Sequence, residues 1–526
     1  MRMKTIFDLI ENRSGVTAQQ EILTNPTFFH FRRILSYWPL LHFVIGEKRR
    51  FPRIGSDQRI TLHPITHAPL NSGYELNLEM PEDEYHPGVF QPFALYAIWL
   101  PLSQGELFAI NDDALTACPL IRKTDNGKEI LFLIHPKSVP YYQALLDQHK
   151  EQVFKVDALS LSSFRSLLVA LPIDSHHDQP VLVKVSLDVQ IAGVRRLVDR
   201  RECALSVVNS ELFQQRLKSS ALPLRIMVDP MAFVPAGYRA GMLYRELPDA
   251  LNPVLGLNAE TVLPLLALLT VKNNDLFQFL VRQNGTTITE FLESKIIKPF
   301  AKIFIELLYL FHLSLQGHGQ NLMIVVDDQG RVKGLMYRDM GGVNLLPKQD
   351  DLASLPTNLQ DPNLFYRHNH VKDAGIALED HTVRRFLFYL TKQLVRCPEL
   401  IAADPQLQSW MDFIVASDLI RNWMSEGEKS DAHARSLAEN KFCRYGYAEQ
   451  IFAKACLTAL IDNQLISEQK YWQFADLMLH PEHIDGEYVA PPCTLRLFFE
   501  KMINETYSGE RDPLQNDLAP KQRTLN

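Results

Sequence analysis

The chain carries 526 residues, 46 % of them hydrophobic and 22 % charged, with 54 lysines and arginines against 61 aspartates and glutamates for a formal net charge of −7. That length exceeds what one hydrophobic core serves and calls for two or three lobes, and the apolar share excludes a fibrous or largely disordered chain. The slight acidic excess leaves no global positive field for a nucleic-acid backbone or an anionic membrane, so neither is expected as a partner and a bound anion needs a local cationic site.

The N-terminus reaches Asp8 after an apolar run too short for a secretory signal. Helical signals at Thr17 to Leu41 are followed by a Pro- and Gly-rich stretch from His63 to Pro92, so residues 1–125 read as an irregular lobe. Residues 126–290 begin with strand material at Glu129 to Ile134 and a helix near Val139 to Lys150. The best strand pattern in the chain comes next, VLVKVSLDVQI, a single run from Val181 to Ile191. Its odd positions, Val181, Val183, Val185, Leu187, Val189 and Ile191, form an apolar face. Its even positions, Leu182, Lys184, Ser186, Asp188 and Gln190, form a more polar face turned toward something wet.

Ala259 to Thr270 reads as helical, and the most apolar run in the chain, from Thr261 to Val271, is about half the roughly 20 residues a membrane span needs. It is expected to be a buried helix. A long apolar helix from Lys295 stops at Gly317, where glycine suits a left-handed cap. Residues 291–526 continue mainly with amphipathic helices and end in a polar tail, GERDPLQNDLAPKQRTLN. The six cysteines, Cys118, Cys203, Cys397, Cys443, Cys456 and Cys493, include no CxxC pair and read as reduced thiols. With the missing signal pattern, this points to a cytoplasmic protein. HNH at His368 to His370 has no flanking acidic or cysteine ligands, and His176 and His177 read as turn residues. No P-loop, GxGxxG or GxSxG pattern occurs.

The chemistry concentrates between Gly317 and Asp339. His318, Gln320 and Asn321 precede an apolar strand (LMIVV), a DDQG turn and a second strand (RVKGLMY) that ends in Arg338 and Asp339. Antiparallel pairing brings Asn321 and Asp339 to the same open end, where an amide oxygen and a carboxylate make half a shell for Mg2+ beside a nucleotide triphosphate. Gly341 and Gly342 allow backbone to approach a phosphate. Taken alone, the segment is equally an ordinary hairpin with solvated ends. Protein kinases use a similar Asn, hairpin and Asp-x-Gly arrangement, which makes a kinase-like phosphotransferase the alternative.

HGQN followed by a hairpin and RD resembles the signature of the aerobactin synthetase (IucA/IucC) family of siderophore synthetases that work without a nonribosomal peptide synthetase. The resemblance extends upstream through Ser163, Phe164, Arg165 and Ser166, then Lys184, Val185, Ser186 and Leu187, then Arg195 and Arg196, and finally Arg245, Glu246 and Pro248. It implies an α+β fold shaped as an open hand. The thumb would be residues 1–125, the fingers 126–290 with an antiparallel sheet, and the palm 291–526, largely helical with the hairpin at the active site. It also implies that ATP, held with Mg2+ between fingers and palm, adenylates a carboxylate that an amine then captures.

By that resemblance His318, Lys184 and Arg196 are catalytic. ATP is bound by Ser163, Arg165, Ser166, Lys184, Arg196, His318, Gln320, Asn321 and Asp339. Asn321 and Asp339 hold the magnesium, and Arg245, His318 and Arg496 touch substrate. Citrate or a similar polycarboxylate and an amine are the implied substrates, and a homodimer is the implied assembly. The residue types suit this independently: a lysine neutralises phosphate as a point charge, and arginines clamp oxygens in pairs.

Several positions depart from the family pattern. The thumb run from His63 to Tyr74 lacks the usual lysine, Ala192 replaces a hydroxyl residue, Gln316 and Gly317 stand where a glutamate is common, and Thr494 replaces a lysine near Arg496. The departures fall where acid and amine would bind, so a degenerate nucleotide-binding protein of the same fold is a third reading.

Overall fold

The computed structural model describes Tyr85 and residues 92–160, 165–171, 181–191, 194–218, 222–246, 261–269, 274–311, 313–315, 317, 321–327, 329–345, 386, 390, 398–407, 452, 455–456 and 458–462. Ser163, His318, Gln320 and Arg496 lie outside these residues, as do the His63 to Tyr74 run, the histidine pair and HNH.

The first described elements are β1 (Phe93–Pro101), β2 (Gly105–Ala109), α1 (Asp112–Ala117), β3 (Ile121–Thr124), β4 (Gly127–Ile134) and α2 (Gln143–Gln148). They lead into β5 (Phe154–Ser160), β6 (Ser166–Val169), β7 (Val181–Val185), β8 (Leu187–Ile191), β9 (Val194–Arg196) and the long helix α3 (Arg200–Lys218). After β10 (Leu224–Ile226), β11 (Met231–Pro235) and β12 (Met242–Arg245) come β13 (Thr261–Pro264), α4 (Leu265–Leu268), α5 (Asn274–Gln283), α6 (Ile288–Phe291) and α7 (Lys298–Phe311). A two-residue strand β14 (Leu313–Ser314), the hairpin β15 (Leu322–Val326) and β16 (Val332–Tyr337), β17 (Asn344–Leu345) and α8 (Pro398–Ala403) complete the series.

Nine strands form one antiparallel sheet in the order β2-β11-β12-β7-β6-β5-β1-β4-β3. Mixed helix and strand content with a large antiparallel sheet agrees with the expected α+β class. The sheet crosses the boundary read at residue 125, because the β3–β4 hairpin spans it and β1 lies inside the sheet. The second boundary is crossed too, since β13 pairs with β15 and the helical path from α6 to α7 runs through residues 290 and 291 by way of a π-helical segment, Leu292–Ile297. A four-stranded sheet, β10-β16-β15-β13, contains the hairpin, with β10 running parallel to β16.

Helix α3 lies between the two sheets and packs against β2, β10, β11 and the Met340–Gly342 turn. From Cys203 to Ser210 every residue is buried, as a helix covered on all sides requires. Its core takes Ala232, Val234 and Leu243 from one face of β11 and β12, while Met231, Phe233 and Met242 enter a second core on the opposite face. Lys184 pairs with Leu243 on one side and Ser166 on the other, so it sits on an interior strand.

Three expectations change. The run from Val181 to Ile191 is two strands, because the chain breaks at Ser186. The Ser186 hydroxyl donates to Gly241 O at 2.8 Å and accepts from Val198 N at 2.9 Å, and its carbonyl accepts from Ser138 Oγ at 2.8 Å. Thr261–Pro264 is an edge strand rather than helix, pairing Val262 with Val325 and leaving Pro264 at the strand end, where its missing donor costs least. The long apolar helix ends at Phe311, short of Gly317, and the chain then pairs Leu313 with Leu345. Cys118, Cys203 and Cys456 are buried free thiols, and among the described residues no helix is long and apolar enough to cross a membrane.

Candidate functional site: a buried ion cluster between two sheets

Lys184 carries the centre of the cluster. Its side chain is 5 % exposed, and Nζ donates to Asp339 Oδ1 at 2.6 Å and pairs with Glu202 Oε1 at 2.6 Å. The face of β7 read as turned toward something wet is instead covered by α3, and the lysine finds carboxylates there. Arg165 joins from the start of β6: its carbonyl accepts from Val185 N at 2.9 Å, and Nη1 reaches Glu202 Oε2 at 3.1 Å and Leu197 O at 3.2 Å. Ser166 is buried and pairs with Lys184 in the sheet. Four of the residues named for ATP, Arg165, Ser166, Lys184 and Asp339, are thus one constellation.

Asp339 arrives from the other sheet. Antiparallel register pairs Leu322 with Tyr337, and Arg338 N donates to Asn321 O at 3.0 Å, so Asn321 and Asp339 share the open end of the hairpin as the spacing predicted. Asp339 has φ 77° and ψ 63°, the one left-handed residue other than glycine among the described residues. Such a conformation costs about 1–3 kcal/mol and is held only where the surroundings impose it. Here α3 imposes it. Asn209 Nδ2 donates to Met340 O at 2.6 Å, and a Cβ on Gly341 would lie 2.8 Å from Ser206 Oγ and 3.1 Å from Glu202 Cγ.

The charges order themselves accordingly. Burial pushes the Asp339 carboxyl up, but Lys184, Arg245 and Arg165 outweigh it and hold it well below the usual carboxylate range. Glu202 is likewise lowered, burial being overcome by Arg165 and Lys184. Arg245, on β12, makes a buried two-pronged pair with Asp229, Nε to Oδ1 at 2.6 Å and Nη2 to Oδ2 at 2.9 Å. Burial would lower that guanidinium, and Asp229 reverses the shift and raises it. Arg338 is lowered to about 10 by burial and by Arg245. Met227 N donates to Tyr337 O and Glu246 N to Val228 O, each at 2.9 Å, so the short segment bearing Asp229 ties the ends of β16 and β12 together.

Asn321 is 2 % exposed, and its Nδ2 has no hydrogen-bond partner. A buried amide left in that state is costly unless a ligand completes it. Arg196 is half-buried on β9 opposite Leu187, one residue before the carbonyl that Arg165 holds. Its neighbour Arg195 is exposed, pairs with Asp188 and lies over the Tyr141 ring.

Two cluster members, Glu202 and Asp229, escaped the sequence reading. Glu202 N donates to Asp199 Oδ1 at 2.7 Å, so its sequence signal is that of an acid in the first turn of a capped helix. That pattern explains itself locally and gives no hint of a lysine partner. Asp229 stands before Pro230 and reads as a turn residue.

A family model described as ferric iron reductase FhuF-like transporter matches residues 301–399, a stretch that includes the hairpin with Asn321 and Asp339. No curated protein matches the chain in sequence. Among solved structures, the aerobactin synthetase IucC from a hypervirulent pathotype of Klebsiella pneumoniae aligns with a TM-score of 0.52 at 14 % identity, over 93 % of this chain and 86 % of that one. The petrobactin biosynthesis protein AsbB from Bacillus anthracis str. Sterne aligns with a TM-score of 0.53 at 12 % identity, over 91 % and 81 %. The chain has the fold of these two proteins, and the resemblance to the aerobactin synthetase family read from the sequence is borne out at the level of the fold.

Proposed function

We propose that this protein is an ATP-dependent siderophore synthetase that adenylates a carboxyl of citrate or a related polycarboxylate and condenses it with an amine, a polyamine or hydroxamate-amine, to form an amide. The observation that carries this reading is the meeting of Lys184 with Asp339 across two sheets, with Arg165 joined to the lysine through Glu202 and the unsatisfied amide of Asn321 at the same end of the hairpin. Among the described residues this cluster holds four cationic side chains, Lys184, Arg165, Arg245 and Arg338, and three carboxylates, Glu202, Asp229 and Asp339. An anion is therefore welcome where a cation alone is not.

In the proposed reaction a substrate carboxylate oxygen attacks the α-phosphorus of ATP and the bond to the β-phosphate bridge breaks, releasing pyrophosphate. The amine then attacks the acyl carbon, AMP leaves and the amine loses its proton. Charge builds on the α-phosphate and leaving group, so Lys184, Arg165 and Arg196 assist by stabilising the transition state more than the ground state. His318 and Gln320 are assigned to the reacting groups, and Ser163 and Ser166 to phosphate. Arg245 and Arg496 are assigned to substrate.

Asp339, a carboxylate held ionised, and the side-chain oxygen of Asn321 at the same open end would hold Mg2+ with phosphate oxygens completing its shell, while the orphaned Asn321 Nδ2 is a donor suited to a phosphate oxygen. The ion would neutralise triphosphate charge. Among the described residues no group of three or more His, Cys, Asp or Glu offers a complete protein-made metal site. Two protein ligands suit a metal that arrives with a nucleotide. A cytoplasmic homodimer is the setting proposed.

The test is pyrophosphate release from ATP with citrate, 2-oxoglutarate or succinate, each paired with a set of diamines, and mass spectrometry of the products. Release that requires both ATP and an acid supports the reading. Conversion of ATP to ADP with a phosphorylated acceptor would replace it with a kinase-like transfer, and ATP binding without turnover would favour a degenerate protein.

A further inference from the structure

We propose that Glu202 is the positioning residue of this site: it keeps Lys184 and Arg165 together beside Asp339 when Asp339 turns to a nucleotide-borne metal. The inference rests on the nucleotide-binding part of the reading above and adds a residue that the family pattern does not assign.

The geometry distinguishes the two carboxylates around Lys184. Among the described residues Asp339 accepts a hydrogen bond from the lysine through one oxygen, Oδ1 at 2.6 Å. Glu202 spends both oxygens on cations, Oε1 on Lys184 at 2.6 Å and Oε2 on Arg165 at 3.1 Å. It is the link between two side chains on adjacent strands, and it stands on a helix. An ammonium has three donors, so binding both acids leaves one for a phosphate oxygen. Lysine is also a compact charge on a flexible four-carbon stem.

A divalent ion at Asp339 would bring positive charge beside that ammonium, and two like charges in a partly desolvated site repel strongly. With Asp339 withdrawn, a lysine lacking any other anchor would leave. Glu202 prevents this because it does not compete for the same metal position on the hairpin. Its place is set by α3, the helix whose Asn209 also holds the turn after Asp339 and against which Gly341 packs too closely for a Cβ. One helix thereby fixes both the cations of one sheet and the acid of the other. Asp339 is the exchangeable partner of Lys184 and Glu202 the permanent one.

The experiment is titration calorimetry of ATP into the full-length wild type, E202Q and E202D, first with EDTA and then with excess Mg2+, alongside circular dichroism and pyrophosphate release. Without metal, E202Q should bind ATP as tightly as wild type or more tightly, because a negative charge is gone and Asp339 still holds the lysine. The tightening that Mg2+ gives to wild type should shrink about tenfold in E202Q, the loss expected of one charge-assisted hydrogen bond. E202D, which keeps the charge but shortens the reach, should recover part of it, and it carries the test if E202Q does not fold. An equal magnesium effect in wild type and variants would overturn the proposal. So would a parallel loss of affinity with and without metal, which marks a merely structural prop. ATP binding by wild type without pyrophosphate release from any acid would remove the ligase reading and leave Glu202 judged by the binding ratios, whereas no ATP binding by wild type would remove both.

Discussion

Lys184 and Asp339 stand 155 positions apart in the chain and meet at 2.6 Å, an ammonium on a nine-stranded sheet donating to a carboxylate at the end of a four-stranded one. The contact is a seam between two separately hydrogen-bonded layers. It should therefore matter to stability and to activity in different proportions.

Lys184→Met removes the cation and leaves Glu202 and Asp339 facing each other. Breaking a buried pair costs about 3–5 kcal/mol, and the 21 % and 28 % exposure of the two acids brings the expected loss to roughly 2–3 kcal/mol. Asp339→Asn should cost less, because Glu202 still holds the lysine. Urea midpoints should rank wild type, Asp339→Asn and Lys184→Met in that order, while pyrophosphate release should fall below detection in both variants. A Lys184→Met protein that kept more than a tenth of wild-type turnover would contradict the role given to the lysine.

Acid should weaken the seam in a defined window. Burial opposes the Asp339 carboxylate, but Lys184, Arg245 and Arg165 prevail and lower its pKa in the folded state, and Glu202 moves in the same direction. A carboxylate lowered on folding contributes stability that is complete above its unfolded pKa of about 4 and lost as the pH falls toward the folded value. Urea denaturation at a series of pH values should show the loss of stability below about pH 4, with a shallower slope for Asp339→Asn. Equal slopes would mean that the carboxylate is not coupled to folding.

Gly341→Ala tests the turn. The new methyl would meet Ser206 Oγ at 2.8 Å and Glu202 Cγ at 3.1 Å, so the turn must lift from α3. Overpacking of this kind costs about 1–3 kcal/mol. ATP affinity should drop together with thermal stability, and adding Ser206→Ala, which deletes the closer atom, should recover part of both. No recovery in the double variant would place the strain elsewhere.

Asp229 and Arg245 test how the arginine assigned to substrate is held in place. Asp229 is fully buried, its N–H donates to Ser210 Oγ at 2.8 Å, and it grips Arg245 with both oxygens. Asp229→Ala strands a buried guanidinium, at a cost of about 3–5 kcal/mol. Arg245→Lys is not conservative at a two-pronged site and should also destabilise. Chemical denaturation should rank both well below wild type, with soluble yield falling in step.

The hairpin was readable from sequence because LMIVV, a polar turn and a second apolar run form a local pattern that needs no knowledge of the rest of the chain. The type of residue at position 184 was equally readable, but its surroundings were not. Alternation along a strand says that Lys184 faces away from Val183 and Val185, and only the placement of α3 decides that this direction is buried. Ser186 shows the same limit, since three hydrogen bonds to Ser138, Val198 and Gly241 break a strand whose alternation runs on through Ser186 to Ile191. Thr261 to Leu268 is ambiguous by composition, and pairing with β15 selects a strand for its first half. Glu202 was invisible for the opposite reason, because a capped helix start already accounts for it.

The long separation between Lys184 and Asp339 has a consequence in time. At about 5–20 residues per second of synthesis, the lysine precedes its hairpin partner by roughly 10–30 s. During that interval the growing chain already contains Lys184, Arg165 and Glu202, so the ammonium has a counter-charge to rest on before the second sheet exists. The cluster itself becomes whole only after the hairpin has docked, and a ligand that needs both sides stabilises the completed chain over every partly made one. A nucleotide bound as proposed would thus act as an inspector of finished copies.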